Sequence, residues 1–386
     1  MAQPRRRALL ALVAWRVCAA PPACEAPLLE VVADADVAAL YAGNGPVAIR
    51  GRANLPSATS ALLPEFVSPP ADGAFPLAVR AGAGHRNATA WGAAARPFLD
   101  ARLSGAGAVL FRGLNVSRPE EFAAFTDGLG WERVSIGGGG TARTAVGGVR
   151  TASDEPAEHT IEPHQDMAHN PAHPSKIAFF MVEGPPRGKG GETILVDMRA
   201  VTRRAAARGL DAAFAAKGGV RYAKKLWSDE LVDPAVNTFN WQRRYFTRDR
   251  AAVDAALDAL PGDDVTWSWS KDGTLDYENT LPATRPHPAT GEPVWFNGIH
   301  TNHRDYFDLA PHIDTTHGSP YDTTYGDGDA IDDATLAEIR ADIWNSCVAV
   351  ALETGDVVVV DNFLAGHGRI GWDPAVQRKM LLQHFA

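Results

Sequence analysis

In the stretch Glu162-Pro163-His164-Gln165-Asp166-Met167, a histidine and an aspartate stand two residues apart. Side chains alternate faces along a β-strand, so a His-x-Asp in a strand sends imidazole and carboxylate to one face. A third ligand must then come from another strand. His367 is the candidate, because it follows the run Gly355-Asp356-Val357-Val358-Val359-Val360-Asp361-Asn362, which reads as a buried strand. Two imidazoles and one carboxylate on one face of an octahedral metal leave three positions open, the donor set that suits non-haem Fe(II).

The flanks extend the pattern. Pro174-Ser175-Lys176-Ile177-Ala178-Phe179-Phe180 and Gly190-Gly191-Glu192-Thr193 follow the first pair. Then come His287-Pro288-Ala289-Thr290-Gly291-Glu292 and Val294-Trp295-Phe296-Asn297, and the series closes with His367-Gly368-Arg369 and Arg378. In order and rough spacing this set, from about Gly105 to Ala386, resembles the TauD/TfdA family of Fe(II)- and 2-oxoglutarate-dependent dioxygenases, and among them the clavaminate-synthase-like proteins.

The resemblance implies a mainly β fold with α, a double-stranded β-helix (jelly roll) core carrying a helical insertion and flanking helices. It implies His164, Asp166 and His367 as metal ligands and catalytic centre, with Fe(II), 2-oxoglutarate as cosubstrate and O2. A small organic molecule would be hydroxylated or otherwise oxidised, with release of succinate and CO2. Asp166 favours this over halogenation, since related halogenases replace the carboxylate with Gly or Ala. The far carboxylate of 2-oxoglutarate needs a rigid bidentate cation, which a guanidinium provides. Arg378 and Thr193 match the family residues with that role. Arg369 is expected either to touch the cosubstrate or to pack a loop, and Asn297 to face either cosubstrate or primary substrate. The rival from another class is a jelly-roll protein that binds metal or ligand without turnover, which would have no need of Thr193 and Arg378. A γ-butyrobetaine or trimethyllysine hydroxylase would carry an N-terminal cysteine-rich zinc module, and residues 27–104 hold no cysteine.

Other chemistries lack their residues. There is no Gly-x-Ser-x-Gly elbow, no His-Glu-x-x-His, and no Gly-Lys-Ser/Thr after the glycine-rich stretches. The histidines His169, His173, His300 and His303 read as pocket-lining or loop residues. The chain has 386 residues, 45% hydrophobic and 22% charged, with formal net charge −9. Scattered basic residues on an acidic chain argue against nucleic acid as partner. Arg243-Arg244 with Arg248 and Arg250 is the densest basic cluster and reads as a solvated face.

Arg5-Arg6-Arg7 followed by Ala8-Leu9-Leu10-Ala11-Leu12-Val13-Ala14-Trp15 reads as a cleavable leader over residues 1–26, secretory or organellar, without which a cytoplasmic location is expected. The apolar run is too short to span a bilayer, so no integral membrane segment is expected in the mature chain. Residues 27–104 read as an N-terminal extension and 105–386 as the catalytic domain. Strands are expected at 108–111, 176–182, 193–197, 294–297, 357–361 and 380–384. Helices are expected at 198–216, 250–260 and 333–345, and another capped by Ser117 with Glu120 completing a capping box. Gly137-Gly138-Gly139-Gly140 opens a stretch to His159 that reads as a mobile lid. Nothing in the sequence speaks to oligomeric state.

Overall fold

A computed structural model describes residues 29–386, apart from 42–44, 53–54, 83–86, 136–142, 154, 234–236, 263 and 312. The expected leader and the four glycines at 137–140 lie outside the described residues. The fold is mainly β with helices.

Its centre is the Val-rich run. Val357–Asp361 is a central strand of an eight-stranded sheet, between Ala108–Arg112 and Lys176–Glu183. Val358 and Val360 point to one core with Leu110, Phe179, Met181 and Leu382, while Val357 and Val359 point to another with Val109, Phe111, Phe180 and Leu381. Burial on both faces is why the run shows no polar alternation. Lys379–Phe385 pairs with Lys176–Glu183 on the far side.

A four-stranded sheet faces the large one. Its order is Cys347–Val350, Thr193–Asp197, Ala365–Arg369, Ile161–His164. Leu195, Val350 and Ala365 enter the core shared with Phe179, Val358 and Val360, so the two sheets pack face to face. The outer face of the large sheet is covered by helices Ala88–Ala106 and Pro119–Leu129, through Trp91, Leu99, Phe122 and Phe125.

Between Asp197 and Cys347 the chain builds an insert. It comprises helices Met198–Ala207, Leu210–Ala216 and Asp333–Trp344, and a sheet ordered Val265–Trp269, Leu275–Leu281, Val220–Leu226, Tyr321–Tyr325. The single helix expected over 198–216 is two, because Gly209 adopts φ +75 and turns the chain.

Three further expectations change. Glu121, not Glu120, closes the start of the 119–129 helix: its Oε2 accepts from the backbone N–H of Ser117 and Arg118 at 2.8 and 3.2 Å. The expected boundary at Gly105 falls inside helix Ala88–Ala106, and Leu77–Ala81 pairs in parallel with Ala108–Arg112, so part of the expected extension belongs to the large sheet. Within the expected lid, Ala145–Val146 and Val149–Thr151 form a hairpin at the sheet edge, the second strand pairing with Lys379–Phe385. Among the described residues no helix is long and apolar enough to cross a membrane.

Candidate active site

His164 ends the strand Ile161–His164 and His367 lies directly opposite it on Ala365–Arg369. The strands approach closely because Gly368 has no side chain: a Cβ there would stand 2.7 Å from the Ile161 carbonyl oxygen. The two imidazole rings lie 4.7 Å apart. Nδ1 of His164 is 2.9 Å from the Glu162 carbonyl, so this nitrogen carries the proton and Nε2 keeps its lone pair. His367 is 8% exposed, and its Nδ1 is buried without a hydrogen-bond partner. Burial, then His164 nearby, holds it well below the ordinary histidine range, so it stands neutral, as a ligand must.

Asp166 is not in the strand. The strand stops at His164, and Met167 at φ +59 turns the chain, so a tertiary clamp rather than strand alternation places the carboxylate. Asn362 supplies that clamp: its Oδ1 accepts from Asp166 N–H at 2.8 Å, and its Nδ2 donates to the carbonyls of Asp166 and Pro174. Gln165 donates to Phe363 O at 2.7 Å, fixing the same turn. The Asp166 carboxylate accepts from Arg143 Nη2 at 2.8 Å and contacts His384 Nε2 at 2.7 Å. Burial pushes its pKa up, but Arg143 and His384 outweigh it and hold the carboxyl well below its usual range. With Asp166 turned onto Arg143 and His384, no group of three or more His, Cys, Asp and Glu side chains among the described residues stands in a metal-holding arrangement. The donors nonetheless fit Fe(II): the His164 imidazole with its Nδ1 against a carbonyl, the neutral His367 imidazole with a buried nitrogen that has no partner among the described residues, and the ionised Asp166 carboxylate.

Two cavities meet at His164. One is lined by His164, His367, Phe179, Thr193, Arg378 and Met380. Arg378, just before the last strand, donates from Nε to Gly191 O at 2.8 Å and from Nη2 to Thr193 Oγ1 at 3.2 Å. Burial, with Arg369 adding repulsion, pulls its pKa down to about 9. Among the described residues it forms no salt bridge, so a partly buried guanidinium ends this cavity with no carboxylate bound to it. Gly191 makes room: at φ +82, a Cβ would stand 3.0 Å from Arg378 Cδ.

The structure places Arg369 on the loop-packing side of its two expected roles and Asn297 away from both cavities. Arg369 lines the same cavity, but its Nη2 donates to the carbonyls of Pro156 and His159 at 2.7 and 3.1 Å, and its guanidinium lies 4.3 Å over Trp372. It packs the 155–159 segment rather than presenting a free fork. Asn297 lines neither cavity; its Nδ2 donates to Ala283 O and its Oδ1 caps Ile299 N–H.

The second cavity lies on the insert side, lined by Arg143, His164, Asp166, His169, Arg244 and Tyr321 among others. Arg244 is 4% exposed, which overturns the expectation of a solvated basic face there, although Arg248 is exposed and pairs with Asp229. His173 meets the stacked rings of Phe296 and Phe363 edge to face, and His300 contacts the Pro163 carbonyl at 2.8 Å, so both are structural. Arg143, His384 and Asn362 escape the sequence reading: Asn362 appears there only as the end of the Val-rich run, and Arg143 and His384 carry no spacing signal.

His164 and His367 thus line a cavity that ends in the Arg378 guanidinium, with the Asp166 carboxylate on the other side of His164, an arrangement suited to an iron oxygenase that spends a keto diacid. The comparisons agree. Residues 74–383 match the taurine catabolism dioxygenase TauD, TfdA family, and the chain belongs to that family as an Fe(II)- and 2-oxoglutarate-dependent dioxygenase. It is 28% identical over 277 residues to the dapdiamide synthesis protein DdaC of Enterobacter agglomerans, covering 70% of this chain and 80% of that protein. It is 28% identical over 281 residues to a clavaminate synthase-like protein of Arabidopsis thaliana, covering 72% and 81%. Among solved structures, PvcB of Pseudomonas aeruginosa is similar at 13% identity and TM-score 0.46, covering 81% of this chain and 86% of that one.

Proposed function

We propose that His164, Asp166 and His367 hold the Fe(II), that Arg378 and Thr193 grip the far carboxylate of 2-oxoglutarate, and that the reaction is hydroxylation, or a related oxidation, of a small organic molecule in the second cavity. The observation that carries this is the first cavity: two imidazoles at one end and a guanidinium free of carboxylates at the other. Fe(II) held by these residues would supply O2 activation coupled to oxidative decarboxylation of 2-oxoglutarate, with succinate and CO2 as products. The chain's own residues do the rest. Glu162 O fixes the His164 tautomer, Asn362 fixes the Asp166 backbone, and Arg378 supplies two donors for a carboxylate fork.

The two facing sheets are read as the double-stranded β-helix expected from the sequence. In its support, the chain alternates between them: small sheet at 161–164, large at 176–183, small at 193–197. After the insert it continues small at 347–350, large at 357–361, small at 365–369 and large at 379–385. Anaerobic titration with Fe(II) and 2-oxoglutarate, followed by succinate release in air, tests the assignment. Asp166→Ala should lose turnover far more completely than 2-oxoglutarate binding, because the cosubstrate is also held at its far end. Near wild-type succinate release in that variant would remove Asp166 from the ligand set.

A further inference from the structure

We infer that His287 is a positioning residue for the Asp166 carboxylate: through Asp361 it sets the 361–364 turn, and that turn holds residues 165 and 166 in place. The inference deepens the iron assignment above, since Asp166 is the ligand it places.

The motif His287–Glu292 lines neither cavity, yet its histidine is turned inward onto the strand end beside the site. Nε2 of His287 stands 3.0 Å from Asp361 Oδ2, on residues 4% and 6% exposed. The other ring nitrogen fixes the tautomer. Nδ1 accepts from the backbone N–H groups of Ala289 and Thr290 at 3.3 and 3.1 Å, so Nε2 carries the proton and Asp361 accepts it. A buried carboxylate needs donors on both oxygens. Asp361 Oδ1 has them in the N–H groups of Phe363 and Leu364 at 3.0 and 3.3 Å, and Oδ2 has His287.

Two bonds then run from this turn to the ligand segment. Asn362 Oδ1 accepts from Asp166 N–H at 2.8 Å, and Gln165 Nε2 donates to Phe363 O at 2.7 Å. The turn therefore decides where the backbone of Asp166 lies, and Asp361 decides the shape of the turn. His287 itself stands on a fixed base. Thr290 Oγ1 donates to Glu292 at 2.9 Å, Glu292 accepts from Arg199 Nε and Nη2 at 2.8 and 2.6 Å, and Arg199 also reaches the carbonyls of Ser104 and Gly105. The Phe363 ring meets the His287 ring edge to face at 5.7 Å, packing base against turn. An outer partner of this kind orients a ligand without touching the metal.

The test uses two variants that separate the histidine's two bonds. Asn at 287 keeps an acceptor near Nδ1 for the local turn and loses the donor to Asp361, whereas Gln carries an amide donor toward Asp361 and loses the acceptor. Hydrogen exchange at the Asp166 N–H is read in the whole metal-free protein, Fe(II) affinity by anaerobic titration, and the ligand set by the visible d–d bands of added Co(II). His287→Asn should speed exchange at Asp166 about tenfold, the equivalent of one hydrogen bond, weaken Fe(II) about tenfold and shift the Co(II) bands. His287→Gln should stay within about threefold of the unaltered protein in both rates and affinities. Asp361→Asn keeps the acceptor for Phe363 and Leu364 but turns an amide donor on His287, so it should match His287→Asn and replaces it where that variant does not fold. Greater impairment in His287→Gln than in His287→Asn would make the histidine a cap of its own turn and overturn the proposal. Equal impairment of the two, or unchanged exchange at Asp166 in both His287→Asn and Asp361→Asn, would overturn it as well. Faster exchange with unchanged Fe(II) affinity also overturns it if Asp166→Ala loses the metal; if Asp166→Ala keeps the metal, the hold on Asp166 stands and the iron assignment falls.

Discussion

At the scale of single residues, the site turns on charges that the fold leaves without matching carboxylates. Arg378 is the clearest. Its bonds to Gly191 O and Thr193 Oγ1 orient the guanidinium toward the cavity. Arg378→Ala should therefore weaken 2-oxoglutarate binding by about 2 to 5 kcal/mol while leaving Fe(II) binding intact, as read by anaerobic titration of each. Unchanged affinity for 2-oxoglutarate would show that another group holds the cosubstrate. Beside these charges stands a neutral clamp, Asn362, 0% exposed and bonded to Asp166 and Pro174. Asn362→Ala leaves the Asp166 N–H and two carbonyls without partners, which should cost at least about 2 kcal/mol of stability by denaturant unfolding. It should also lower metal affinity some 10- to 100-fold, as loss of an outer-shell partner does. Stability loss with unchanged metal affinity would make the clamp structural only. His164 and His367 were picked out from the His-x-Asp pair and the Val-rich run, whereas Thr193 and Arg378 were picked out only through the family resemblance. Arg143 and His384 were not, for their contacts with Asp166 span 23 and 218 residues and leave no periodic mark.

At the scale of elements, the strand bearing His164 is held from behind by the helix Asp333–Trp344. Arg340, 1% exposed, donates to Glu162 Oε1 at 3.1 Å and to His300 O at 2.8 Å, and His300 in turn contacts Pro163 O. Burial pushes the Glu162 carboxyl up and Arg340 counters it only in part. Arg340→Met should thus strand a buried acid and cost about 3 to 5 kcal/mol, and the double variant Glu162→Gln with Arg340→Met should recover part of that loss in chemical denaturation. A double variant less stable than Arg340→Met would contradict the ion-pair account. In the turn before Thr193–Asp197, Gly191→Ala should cost about 1 to 2 kcal/mol for its positive φ and raise the Kd for 2-oxoglutarate by crowding Arg378; an unchanged Kd would show that Arg378 moves freely. The strands read well from sequence because two-sided burial produces apolar runs such as 357–360. Helix 198–216 was misjudged at Gly209, since a glycine inside a helical pattern is often tolerated and only the packed structure shows it turning. The basic cluster at 243–250 was misjudged for a related reason: Arg244 is buried by a ring, Phe239, that charge counting does not see.

At the scale of the whole molecule, two sheets facing across one core carry the proposed iron donors, and the insert between residues 197 and 347 supplies the far wall of the proposed substrate cavity. That division accounts for what the sequence could not say: the sandwich strands carry the patterned residues, whereas the insert's pocket residues are chosen by contacts alone. The most direct test is a crystal structure with Fe(II) and 2-oxoglutarate grown without oxygen, with iron located by its anomalous signal. The account predicts iron bonded to His164, Asp166 and His367, the carboxylate of Asp166 released from Arg143 and His384, and the far end of 2-oxoglutarate on Arg378 and Thr193. Iron bound elsewhere, or Asp166 still paired with Arg143 and His384 beside a bound metal, would contradict it.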